Sequence, residues 1–138
     1  MNLGTGNYQK NMPSWNYAFR LSGSYQLPWD ITYASSLNAQ TGDYYFREVQ
    51  VRDGSGANVT IRVEPQADRY GWTKIWDNRV SKRFRTWGSQ SFDVELNIYN
   101  SINVNTITAQ SNRSGGTYLQ PTEIIAPRIM RVGVKYRF

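Results

Sequence analysis

The chain contains neither cysteine nor histidine. Those two absences remove thiolate and imidazole metal sites, disulfide staples and Ser-His triads together. No apolar run approaches the roughly 18 residues that a membrane-crossing helix needs, which excludes a helical membrane protein. Met1 to Lys10 lacks the apolar stretch of a secretory signal, so for an exported protein the signal is expected upstream of these residues. Hydrophobic residues are scarce for a 138-residue chain, at 39%, and the mean hydropathy is negative.

In their place the sequence has rings and alternation. Ten tyrosines and five tryptophans raise the aromatic share to 14%. Trp15, Tyr17, Phe19, Leu21, Gly23, Tyr25 and Leu27 occupy every second position, interleaved with Asn16, Ala18, Arg20, Ser22, Ser24 and Gln26. This is strand periodicity, sustained beyond the length of about 5 to 6 residues usual in soluble sheets and matching the about 9 to 11 needed to cross a bilayer. After the short Leu27–Asp30 link, a second run carries Trp29, Ile31, Tyr33, Leu37 and Ala39 on one face. It is expected to continue through Tyr44 to Arg52, turn at Asp53–Ala57 and return from Asn58 to Glu64.

A third strand spans about Thr73 to Arg85, with Trp76, Val80 and Phe84 opposed to Asp77, Arg79, Ser81, Arg83 and Arg85. Asn78 and Lys82 dilute its apolar face. A tight link at Thr86–Gln90 leads to a fourth, where Phe92, Val94, Leu96 and Ile98 alternate with Asp93, Glu95, Asn97 and Tyr99. A polar stretch through Gly116, followed by Pro121 and Pro127, predicts a long loop. The final strand sets Met130, Val132, Val134, Tyr136 and Phe138 against Arg131, Gly133, Lys135 and Arg137.

Laid side by side as an antiparallel meander, these strands have short links at one end and long ones at the other, the asymmetry of bacterial outer-membrane barrels. Tyr25, Trp29, Phe84, Trp87, Phe92, Tyr136 and Phe138 then gather at the short-turn end, and Trp15, Tyr17, Trp72 and Trp76 at the other, as two interfacial girdles require. The expected fold class is therefore all-β, an antiparallel meander forming about five strands of a transmembrane barrel. Asp93 and Glu95 lie between strands rich in arginine and lysine. A lumen-facing charge ladder is expected among Arg79, Arg83, Asp93, Glu95, Arg131 and Lys135.

The net charge of +6 raises a rival, a single-stranded nucleic-acid-binding β-domain. Strand alternation opposes it, because half the rings point away from the basic face. A soluble secreted β-sandwich or carbohydrate-binding module is the other alternative, and strand length and the girdles oppose that. No catalytic, metal or cofactor-binding residues are assigned. The carboxylates have cationic neighbours rather than the apolar pocket that raises a general acid's pKa, so no enzyme and no cofactor are expected.

At the C-terminus, Arg131-Val132-Gly133-Val134-Lys135-Tyr136-Arg137-Phe138 resembles the outer-membrane assembly signal, matched at Arg131, Gly133, Tyr136 and Phe138. Residues 14–138 more broadly resemble the TonB-dependent transporters that carry a carboxypeptidase-regulatory-like domain, the Oar-like group. The resemblance rests on Leu27-Pro28-Trp29, Arg79 to Arg85, Tyr99 to Thr106, Pro121 to Ile124 and Pro127-Arg128. It implies the last strands of a plugged barrel of about 22 strands in the bacterial outer membrane, with residues 1–13 a loop remnant. It also implies several partners: the lipid bilayer, the barrel-assembly machinery, the rest of the barrel chain, and the TonB system through a plug outside this sequence. Nucleic acid is not among them. The outer loops Arg52–Trp72 and Ser101–Pro127 are the first places to expect substrate contact.

Overall fold

The computed structural model describes residues 15–63, 68–86, 88 and 90–138. The expectations for residues 1–13, Glu64 and Trp87 lie outside the described residues. The strands are β1 (Ala18–Leu27), β2 (Ile31–Gln40), β3 (Tyr44–Tyr45), β4 (Glu48–Arg52), β5 (Asn58–Arg62), β6 (Asp68–Arg69), β7 (Thr73–Arg85), β8 (Ser91–Tyr99), β9 (Ile107–Gln110), β10 (Pro121–Ile124) and β11 (Ile129–Arg137).

Five of them form one antiparallel sheet in the order β1-β2-β7-β8-β11, a meander whose long links hold the remaining strands. The register runs without a bulge, from Ala18 opposite Gln40 to Leu27 opposite Ile31, and from Ile129 opposite Tyr99 to Arg137 opposite Ser91. Because side chains alternate with period two, an unbroken register keeps each strand's apolar set on one face of the whole sheet.

The two short links are built differently. Pro28 presets the entry to the first, after which Trp29 (φ 64°) and Asp30 (φ 57°) both adopt left-handed backbone. That conformation is costly for a non-glycine residue, above all for tryptophan. Asp30 helps to hold it: its carbonyl accepts the Arg83 N–H at 3.0 Å, and its carboxylate accepts Arg85 at 3.2 Å. In the second link Gly88 (φ 72°) supplies the positive φ directly. The Thr86 N–H and hydroxyl both donate to the Gln90 carbonyl at 3.0 Å.

The long links correct two sequence expectations. The second strand does not run on to Arg52; it ends at Gln40, and the chain departs at Thr41–Asp43. There Gly42 lies directly against the Tyr70 backbone, leaving no room for a Cβ, while the Tyr70 N–H donates to the Asp43 carbonyl at 3.0 Å. The first long link therefore comprises residues 41–72, earlier in starting than Arg52. It carries the pair β3-β6 and the hairpin β4-β5. The second is not a structureless loop, since β9 and β10 pair within it.

The sheet is a single layer. Among the described residues, strand contacts run only between hydrogen-bonded neighbours and no hydrophobic side chain is buried. The buried residues are both polar, Asp93 and Asn100. Among the described residues no closed barrel is present: β1 and β11 each keep one edge unpaired.

Candidate functional site

One face of the sheet is apolar across all its strands. Its rows read Leu27-Ile31-Lys82-Val94-Val134, then Tyr25-Tyr33-Val80-Leu96-Val132, then Gly23-Ser35-Asn78-Ile98-Met130. Toward the short turns follow Phe84, Phe92 and Tyr136, with Phe84 stacked on Phe92 at 4.9 Å between centroids and Tyr136 beside Phe138 at 6.4 Å. Many of the strand side chains among these are open to the surroundings, from 37% for Leu96 to 70% for Val132.

Several polar groups on this face pair with one another or with the adjoining link. The Tyr33 hydroxyl donates to Asn78 Oδ1 at 2.6 Å, Asn78 Nδ2 donates to Ser101 Oγ at 2.9 Å, and Trp76 Nε1 donates to Ser35 Oγ at 2.7 Å. A surface in water would gain little from such internal pairing, whereas one without water needs it.

The opposite face carries the expected ladder, assembled as two carboxylates each between two cations. Glu95 accepts Arg79 Nη2 from β7 and Lys135 Nζ (2.9 Å) from β11. Asp93 accepts Arg83 Nε (2.8 Å) and Arg137 Nη2 (3.0 Å). Gly133 stands directly opposite Glu95, so no side chain separates that carboxylate from Lys135.

Arg131 does not join the ladder. The register sets it opposite Asn97, a row beyond the carboxylates, and among the described residues it makes no ion pair; Arg137 holds the outer place instead. Arg85 is likewise drawn away, to Asp30 at the turn. The matched assembly-signal positions Arg131, Gly133 and Tyr136 all lie on the edge strand β11, with Phe138 just beyond its end and 96% exposed.

The two long links are joined into one cap at the other end. The Glu48 N–H donates to the Asn112 carbonyl (2.8 Å) and the Ser114 N–H to the Glu48 carbonyl (2.7 Å). Arg47 Nε reaches Ser114 Oγ at 2.9 Å, and the Gln110 N–H reaches the Tyr70 hydroxyl at 3.1 Å. Guanidinium groups lie over rings throughout the cap: Arg47 over Tyr118, Arg62 over Phe46 and Arg69 over Tyr44, at 4.0 to 5.0 Å.

Sequence reasoning missed the role of Asn100. Its amide donates to the Val104 and Ala126 carbonyls, both at 2.8 Å, and accepts the Val104 N–H at 2.9 Å, tying the start of the second long link to its end. Asn103 does similar work, accepting the Arg128 N–H at 3.0 Å. The polar stretch through Gly116 was the available signal, and it marked a long loop without showing which residue closes it. Comparison of the chain with protein-family models, curated proteins and solved structures finds no match.

Proposed function

We propose that this chain is a wall segment of an outer-membrane β-barrel, the last strands of a TonB-dependent transporter, with its apolar face toward lipid and its charged face toward a watery lumen. One observation carries the reading: five strands present a continuous apolar face, and among the described residues no element covers it. Soluble proteins rarely leave contiguous apolar patches beyond a few hundred Å² open to water. A soluble sandwich would set a second sheet against this face, and an oligonucleotide groove would need the rings and the cations on the same one.

The charged face suits a lumen. Asp93 and Glu95 would be expensive against hydrocarbon and are at ease beside water and paired cations. Gly133 adds support for an assembly role. A Cβ there meets nothing within 4 Å, so packing in this sheet does not account for the glycine, whereas recognition from outside the fold would. In the intact transporter the stitched cap would face the exterior and make first contact with substrate, and the plug would gate passage under TonB control.

The reading frame upstream of the Met1 codon tests this function. It is expected to continue into further alternating strands, a plug and a secretory signal. A stop codon and ribosome-binding site directly before Met1 would overturn the transporter assignment.

A further inference from the structure

The charged residues on the apolar face of the main sheet are Lys74 and Lys82, both on β7. Among the described residues neither makes an ion pair, whereas on the opposite face Arg79, Arg83, Arg85, Lys135 and Arg137 are matched to Asp93, Glu95 and Asp30. Lys82 lies across from Ile31, next to the short turn, with its ammonium 5.0 Å from the Phe84 ring centroid. Lys74 lies across from Ala39, where the sheet gives way to the cap. The eight-residue step between them covers about 27 Å along a strand, or about 20 Å along the bilayer normal at the usual barrel tilt. The side chains between them on that face are Trp76, Asn78 and Val80, none charged, with the Asn78 amide already engaged.

A lysine at mid-depth on such a face is costly, but at its rim the stem lies along apolar surface while the ammonium reaches the headgroups. Both lysines are at rims. We infer that Lys74 and Lys82 are docking points for the phosphate of anionic membrane lipids, one at each boundary of the apolar band, with the Phe84–Phe92 pair beneath the lipid held by Lys82. This rests on the membrane-wall reading above. The ligand is a lipid and not a free anion, because the surface that presents each ammonium also presents apolar side chains for an acyl chain to cover.

The test dilutes the full chain from detergent into vesicles of phosphatidylcholine alone and of equimolar phosphatidylcholine and phosphatidylglycerol, at low salt, and measures partition by flotation through a density gradient, where vesicle-bound chain rises and aggregate does not. Far-ultraviolet dichroism checks that each variant keeps its β-structure. Lys82→Gln and Lys74→Gln are each expected to lower partition into the anionic vesicles about fivefold, the worth of one lysine near such a surface, and to leave the neutral vesicles unaffected. Lys82→Arg restores binding, and Arg20→Gln on the charged face changes neither.

An equal loss from Arg20→Gln would overturn the assignment in favour of diffuse attraction. Displacement by inorganic phosphate at matched ionic strength would overturn it in favour of a free-anion site. If the wild-type chain enters neither vesicle, the membrane-wall reading itself fails and this inference with it.

Discussion

Asn100 has a left-handed backbone (φ 50°), is 4% exposed, and uses its amide for three hydrogen bonds that fasten the second long link. Asn100→Ala removes those bonds and places a residue less suited to the left-handed region there. It is expected to cost about 2 to 4 kcal/mol locally and to open residues 101–128 to amide exchange. Unchanged protection in that segment would contradict the role. At the tip of the β4-β5 hairpin, Asp53 Oδ1 accepts the Ser55 hydroxyl (2.6 Å) and the Ser55 and Ala57 N–H groups (both 2.9 Å). The Ser55 hydroxyl is the foremost cause of a carboxyl pKa held below its ordinary value, with the backbone donors adding to it. Since the folded pKa is the depressed one, this contribution is complete above the ordinary carboxylate range and is lost as pH falls through the folded value. Amide exchange at Ser55 and Ala57 should accelerate on acidification, and Asp53→Ala should remove that pH dependence.

At the scale of elements, the ladder joins three strands through two carboxylates. Glu95→Lys would set a third cation between Arg79 and Lys135 and should loosen β8 from both neighbours. Earlier denaturation of this variant than of Glu95→Gln is the expected order, and identical unfolding would show that the ladder contributes nothing. Much of this geometry was legible in advance. The alternations of β1, β7, β8 and β11 were plain because one side of each strand is apolar and the other wet, and period two then fixes the faces. The ends of β2 were not, because Tyr44 and Tyr45 prolong the alternation past the point where Gly42 packs on the Tyr70 backbone. The exclusion of Arg131 depends on register, which no single strand's sequence contains. The strands within the second long link were obscured by their shortness and by the register irregularities between β9 and β10.

At the scale of the molecule, an antiparallel sheet of five strands has its first and last running in the same direction. In the barrel proposed above, antiparallel closure would take an odd number of further strands and so an even total, the rule in bacterial barrels. The free edges of β1 and β11 and the uncovered apolar face should drive association in water. Without detergent the chain is expected to sediment as a polydisperse aggregate.

The absence of cysteine makes the central claim directly measurable, since a single cysteine can be introduced at any position and spin-labelled. Labels at Leu96, Val132 and Val134, and in turn at Asn97, Arg131 and Lys135, would be examined in lipid vesicles for collision with dissolved oxygen and with an aqueous nickel chelate. Strict alternation is predicted, with oxygen favoured at the first set and nickel at the second. Equal access of nickel to both sets would contradict a lipid-facing wall.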